Sequence, residues 1–341
     1  MTSGSTLTTE DSTPPEVTGR GARVIDYLKG RANEAGALTA LVLLCATFAI
    51  LSPGFGTFDN LMTVGRQVSL LAIVGVGMTF VIITAGIDLA VGSMVALSGV
   101  VMVKLVTERG VPPVPSVLIT IALLGCIGAL VGASVSVGGL QPFVVTLALF
   151  ASARGLAAVA TGGTVVLLSN PTVLELGTGY VGPVPIPIII AAVALATGHI
   201  ILTRTRYGRY VYAIGGNEEA ARVSGVPVRR IKTSVYVLSA CMSALAGVVL
   251  AGRLHAGDPL AGTGLELDVI AAVVIGGTSL FGGVGNMRGT LIGVFIIGVI
   301  SNGLTILNVQ TFWQDVVKGV VIFLAMSVDA YLRKHSKARL A

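Results

Sequence analysis

Thr203-Arg-Thr-Arg-Tyr-Gly-Arg-Tyr-Val-Tyr-Ala-Ile-Gly-Gly-Asn217-Glu-Glu-Ala-Ala-Arg-Val-Ser-Gly-Val-Pro-Val-Arg-Arg-Ile-Lys-Thr233 is the stretch whose reading decides the rest of this chain. It separates two apolar runs, 184–202 and 234–253, each close to the ~20 residues that cross the hydrocarbon core of a bilayer. Seven cations, Arg204, Arg206, Arg209, Arg222, Arg229, Arg230 and Lys232, crowd into it. Positive charge concentrated between two membrane spans marks the cytoplasmic face. Within it, Asn217 is placed to cap a short helix whose first turn carries Glu218 and Glu219 and whose exit is Gly225. Such a helix, held out by a span on either side, reads as a docking surface, or else as an amphipathic loop resting on lipid.

Working outward, the apolar pattern continues in both directions. The 341 residues are 54% hydrophobic and 11% charged, and the mean hydropathy is +0.91. That apolar content exceeds what a soluble core requires and indicates an all-α, polytopic membrane helix bundle. Ten candidate spans are predicted, at 37–51, 67–85, 89–106, 117–138, 143–162, 184–202, 234–253, 267–281, 289–304 and 312–332. Sixteen of the 22 Lys and Arg then fall on one side, which predicts both termini inside. The chain accordingly divides into 1–32, a disordered cytoplasmic tail rich in Ser, Thr and Pro, 33–333, the membrane domain with its coupling loop at 203–233, and 334–341, a short cytoplasmic tail. The net charge of +6 reports topology and not a nucleic-acid surface, because the cations sit at the ends of apolar runs. The pairs Gly128/Gly132 and Gly289/Gly293 have the spacing that lets membrane helices approach closely.

Reaction chemistry is hard to find. No Lys follows a Gly, so the Gly-Lys step of a phosphate-binding P-loop is absent. Cys45, Cys126 and Cys241, like His199, His255 and His335, are isolated from one another, which predicts neither a disulfide framework, a metal site nor a cofactor. Among the ionisable residues in or beside spans, Asp88 lies in an apolar environment and Arg154 near the middle of a span, where charge is costly and marks either function or a specific internal partner. Asp88 either caps the span that starts near Leu89 or faces a pathway. Arg154 either donates to a solute hydroxyl or binds backbone carbonyls at a helix break near Gly155. Asp315 and Lys318, one turn apart, are expected to pair, and Glu266 and Asp268 to be solvated near an outer loop. Gly86-Ile-Asp-Leu-Ala-Val-Gly92 also echoes Gly277-Thr-Ser-Leu-Phe-Gly-Gly283, the kind of repetition that transporters built of two related halves show at broken helices.

Several of these segments occur together in one known family. Thr84-Ala-Gly-Ile-Asp88-Leu-Ala-Val-Gly-Ser93 is followed by Thr146-Leu147, Arg154-Gly155-Leu156 and Thr161-Gly162-Gly163. Then come Gly215-Gly216-Asn217, Ala220-Ala221-Arg222 and Ser224-Gly225-Val226, and last Ile275 to Gly283 with Ser301-Asn302-Gly303-Leu304. In this order, over about 36–333, the chain resembles the permease subunits of ribose-type sugar ABC importers. The resemblance implies a ten-helix permease with broken helices, pairing with a second copy or homologue in the inner (plasma) membrane and in contact with its lipid. It also implies a separate cytoplasmic ABC ATPase, which makes this subunit itself no enzyme, and an extracytoplasmic sugar-binding protein that delivers a monosaccharide or small polyol. Coupling to the ATPase would fall to Asn217, Glu218, Glu219, Ala220, Ala221, Arg222, Ser224 and Gly225. Gly86, Asp88, Gly92, Arg154, Gly277, Thr278, Gly283 and Asn302 would line the pathway or shape its broken helices. One departure stands out: the Ile-x-Leu-Pro part of the wider importer motif is replaced by Val235-Tyr236-Val237-Leu238. The rival expectations are an ion-gradient-driven secondary transporter and a branched-chain amino acid ABC permease.

Overall fold

The computed structural model describes residues 19–321 and 323–324, with side chains described from residue 35. The expected tail 334–341, the end of the last span, and residues 1–18 of the expected N-terminal tail lie outside the described residues. The first helix, α1 (Gly19–Leu51), begins well before the boundary expected at residue 33.

Apolar length dictates most of the architecture. The helices α2 (Phe58–Ile83), α4 (Pro113–Ser136), α5 (Pro142–Thr161), α7 (Ile186–Arg204), α10 (Val228–Leu254) and α12 (Met287–Ile306) are each long and apolar enough to cross a membrane. The apolar part of α1 and α3 (Val91–Thr107) are shorter. Two small elements sit in the 203–233 segment, α8 (Arg206–Gly216) and α9 (Glu218–Val223). After them come α11 (Leu265–Ile275) and a helix α13 over 311–321. The expected stretches overlap these helices, although 267–281 runs beyond the end of α11 and only the first part of 312–332 lies within the described residues. Between α5 and α7 lie β1 (Val166–Leu167), the short helix α6 (Pro171–Thr178) and the hairpin β2 (Tyr180–Val181) with β3 (Val184–Pro185). Strand β1 pairs antiparallel with β4 (Ala256–Gly257), just beyond α10.

The core is built around α2 and α10, and small residues set their separations. A Cβ added at Gly77 would stand 2.6 Å from the Ser239 Cα, so α2 touches the α10 backbone directly. Both predicted glycine pairs do the same. Gly128 and Gly132 of α4 lie against Tyr236, Ala240 and Thr233 of α10, while Gly289 and Gly293 of α12 lie against the Gly276 and Ala272 carbonyls of α11. In a bundle with few aromatic side chains, dispersion contacts between close backbones replace large interlocking side chains.

Two segments interrupt this helical packing. The chain leaves α2 through Ala85 (φ 58°) and α10 through His255 (φ 56°), both left-handed and neither glycine. Residues 84–90 then run into the bundle: Gly86 reaches Tyr236, and Asp88 reaches Ser239, eleven residues into α10 and so ~16 Å from its start. Residues 255–264 run in from the opposite end of α10. Gly257 lies against Val100 and Val103, and Gly262 against Val95 and the Gly92 carbonyl, so this segment descends beside α3 toward its N-terminus. The N-termini of α3 and α11 therefore meet inside the protein, where Gly92 abuts the Glu266 carboxylate. The two echoing segments occupy similar places, 86–92 lying where α2 passes into α3 and 277–283 where α11 passes into α12. The second packs on the end of α2, where the Gly283 amide donates to the Ile83 carbonyl at 2.9 Å.

Candidate functional site

The exposed part of the site is α8 with α9. Thr205 caps α8, its Oγ1 accepting from the Gly208 amide at 3.2 Å, and Asn217 ends α8 and opens α9, its Oδ1 accepting from the Ala220 amide at 2.9 Å. Asx side chains stabilise helix starts in this way by satisfying a free N–H. Gly225, at φ 81°, supplies the left-handed exit that side chains disfavour. Within α9, Glu218 accepts from Arg222 at 3.1 Å and from Lys232 of α10 at 2.9 Å, and Glu219 lies 3.5 Å from Arg222. Burial alone would raise the Glu218 carboxyl, but the Lys232 bond and charge, with those of Arg222, outweigh it and hold the group below its ordinary value. Ala221 faces inward, and Ala220, Ser224 and Val223 face solvent, Val223 at 82% exposure.

The base of α8 is fixed to the bundle by backbone. Gly215 packs on the Ile83 carbonyl and the Gly283 amide, Gly216 on Gly283, and a Cβ on Gly282 would stand 2.9 Å from that of Ala85. The Tyr212 hydroxyl donates to the Gly285 carbonyl at 2.6 Å, and burial pushes that phenol up to about 12, so it stays a donor at neutral pH. The end of α8 thereby packs directly on the junction where α2 gives way to 84–90. Thr205 and Tyr212 escaped the sequence reading, although the Thr205 cap and the alternation of Arg with Tyr were visible signals of a separate α8.

The buried part of the site lies where α3 and α11 meet. Asp88 is 7% exposed; its Oδ1 accepts from the Ala90 amide at 3.0 Å and its Oδ2 from the Ser239 hydroxyl at 2.7 Å. No cation pairs with it among the described residues, and the buried Tyr236 hydroxyl beside Gly86 has no hydrogen-bond partner. Asp88 thus acts near a helix start, two residues ahead of the Ala90 cap of α3 and not at Leu89. Arg154 stands on an unbroken α5. Its Nη1 donates to the carbonyls of Pro259 and Ala261 at 2.9 and 2.8 Å, so it stabilises a different segment from the Gly155 break that was expected. Its Nη2 and Glu266 Oε2 are both buried without partners.

The remaining expectations are redistributed. Glu266 and Asp268 are not in a solvated outer loop: they occupy the first turn of α11, which the re-entrant 255–264 segment carries inward. Asp268 takes Lys318 at 2.9 Å, leaving Asp315 a more distant partner at 3.7 Å. Asn302 joins Asn60 through reciprocal amide bonds of 2.9 and 3.0 Å, tying α12 to α2. Thr278 is buried with its hydroxyl against Gly285 and without a partner, in the turn that Gly277 and Gly283 shape. A cavity of about 370 Å³ lies between α2, α7 and α10, lined by apolar side chains such as Val76, Ile190, Val193 and Met242 together with Thr197.

Residues 60–326 match the family described as branched-chain amino acid transport system / permease component. The chain is 44% identical over 307 residues to the ribose import permease protein of Escherichia coli (strain K12), covering 89% of this chain and 95% of that protein. It is 42% identical over 305 residues to the ribose import permease protein of Bacillus subtilis (strain 168), covering 89% and 94%. With the D-allose transport system permease protein of Escherichia coli (strain K12) it shares 39% over 304 residues, covering 89% and 93%. No solved structure matches the chain.

Proposed function

The chain belongs to the family of branched-chain amino acid transport system / permease components, and from that premise we propose that it is the membrane subunit of an ATP-driven importer for a monosaccharide or small polyol. Near full-length similarity to ribose and allose permeases supports sugar over an amino acid as the solute class. The subunit sits in the plasma (inner) membrane with ten spans and both termini inside, pairs with a second permease, receives solute from an extracytoplasmic binding protein and leaves hydrolysis to a separate ATPase. Four spans beyond the six long ones come from α1, α3, α11 and α13.

The observation that carries this reading is the backbone seam of Ile83, Gly215 and Gly283. It joins an exposed, capped helix suited to a partner's cleft with a broken helix inside the bundle. When the ATPase closes on nucleotide and draws α9 with it, the 84–90 segment must follow, because no side chain lies between to absorb the displacement. Residues 217–226 are the coupling helix in this scheme, and Gly86, Asp88, Gly92 and Arg154 belong to the moving interior.

Reconstitution with the ATPase and binding protein tests it. Scrambling 219–225 should abolish uptake while the protein still folds and inserts. Retained uptake removes the coupling role, and uptake without any ATPase that follows a pH gradient would establish the secondary-transport alternative instead.

A further inference from the structure

Six arginines at the coupling end of the bundle, Arg204, Arg206, Arg209, Arg229, Arg230 and Arg288, are exposed. Among the described residues none of them has a carboxylate within 4.0 Å. Their positions are shared: Arg204 closes α7, Arg206 and Arg209 lie in the first turn of α8, Arg229 and Arg230 in that of α10, and Arg288 in that of α12. None of those three first turns contains an acidic residue. Cations at a helix start oppose the positive end of the helix dipole, so the folded chain gathers like charge here without an internal anion to balance it.

The neighbouring tip is arranged the other way. Glu218 and Glu219 match Arg222 and Lys232, so α9 and its support are neutral as a group. An acidic partner cleft would be expected to meet cations on the tip it grips, yet the tip offers Val223, Ala220 and Ser224. The unmatched arginines instead lie within a few residues of where the apolar runs of α7, α10 and α12 stop, which is the depth of the headgroups. Tyr207, whose ring meets Phe80 at 6.0 Å while its hydroxyl reaches Ser234 at 2.9 Å, stands at the same boundary with the amphipathic placement typical of an interface.

We infer that these arginines form a collar that binds the phosphates of anionic phospholipids, holding the first turn of α8 at the inner surface while the neutral α9 tip stays free for the ATPase. A guanidinium pairs with phosphate through two parallel N–H bonds, which a lysine does not reproduce. The inference rests on the inward orientation proposed above, but its test does not need the ATPase.

The permease is purified into nanodiscs of phosphatidylcholine mixed with phosphatidylglycerol, and lipid retained after detergent extraction is counted by native mass spectrometry. Wild type should retain phosphatidylglycerol preferentially. The combined variant Arg206→Gln, Arg209→Gln, Arg229→Gln and Arg230→Gln should lose that preference by at least about tenfold. The four corresponding Lys substitutions should fall between, and Arg109→Gln at the opposite end should match wild type. A monodisperse Gln variant that retains phosphatidylglycerol normally overturns the inference. So does normal retention by the Lys variants should the Gln variant fail to fold, since paired guanidinium recognition would then be unnecessary. If free inorganic phosphate displaces the retained lipid as readily as excess phosphatidylglycerol does, the site is an anion site and not a lipid one. If lipid retention is unchanged but ATPase capture is lost, the collar belongs to the protein partner.

Discussion

The α9 lever and the interior junction of α3 with α11 handle charge in opposite ways. On the lever, every ionised group found in 217–226 has a partner within 3.5 Å, and water reaches most of them. At the junction, among the described residues, Asp88 has no cation, Arg154 spends its bonds on backbone carbonyls, and three polar atoms, Arg154 Nη2, Glu266 Oε2 and the Tyr236 hydroxyl, are buried without a partner. Exposed pairs contribute little and can be lost with little effect, whereas an unmet polar group inside a bundle is costly to hold. The lever is therefore a shape maintained by caps. The junction is a strained arrangement that a second conformation, with different partners for those atoms, would relieve.

That contrast predicts the largest effect at Arg154. Arg154→Ala uncaps the Pro259 and Ala261 carbonyls and leaves Glu266 without the nearest positive charge, so stability should fall by about 2–3 kcal/mol. Thermal unfolding in detergent measures it, and Arg154→Lys should recover part of the loss. If Arg154→Ala melts with wild type, the 255–264 segment is held by something else and the contrast with the lever fails.

Next in size is the α4–α10 contact. A Cβ at Gly128 would stand 2.6 Å from the Ala240 Cβ and 2.7 Å from the Tyr236 carbonyl, both on rigid helix. Gly128→Val should then cost about 1–3 kcal/mol through overpacking, while Gly155→Ala, with open space around it, should leave the melting temperature within about a degree. Equal effects at the two sites would show that α4 shifts freely on α10 and that the core is softer than its glycine spacing implies.

These outcomes bear on what a sequence reveals. The lever was legible because capping is local: Asn217, two glutamates and Gly225 lie within nine residues and need no distant partner. The long spans were legible because apolar length alone decides them. The junction was not, because Arg154 meets carbonyls more than a hundred residues away, and a carbonyl leaves no mark in a sequence. Glu266 and Asp268 looked solvated for a related reason. Gly257, Asp258, Pro259, Gly262 and Gly264 have the composition of a surface loop, and only the packing of Gly257 and Gly262 on α3 shows that the loop turns inward. The Gly86 and Gly277 echo was legible as a pattern, but the packing of Gly282 and Gly283 on Ala85 and Ile83, just ahead of the first stretch, was not.

Between lever and junction stands Tyr212, and here the expected change is in function more than in stability. Tyr212→Phe removes one bond to the Gly285 carbonyl, worth roughly 1 kcal/mol. ATPase capture should persist because α9 is untouched, while solute moved per ATP hydrolysed should fall. A variant with an unchanged ratio would show that the glycine contacts alone transmit the motion.

The smallest effect tests the lever itself. The Glu218 carboxyl is held below its ordinary value in the folded protein, so its contribution to α9 is complete above the unfolded value of about 4.3 and is lost as pH falls through the lower, folded one. With 40% of that side chain in solvent, screening keeps the contribution small. Hydrogen-exchange protection of the Ser224 and Val226 amides, which bond back to Ala220 and Ala221, should be level from pH 7 down to about 5 and decline only below about 4. Glu218→Gln should flatten that decline while leaving the Asn217 cap in place. A decline already under way near pH 6 would mean that some group other than Glu218 governs α9, and the charge matching that makes the tip neutral would have to be reassigned.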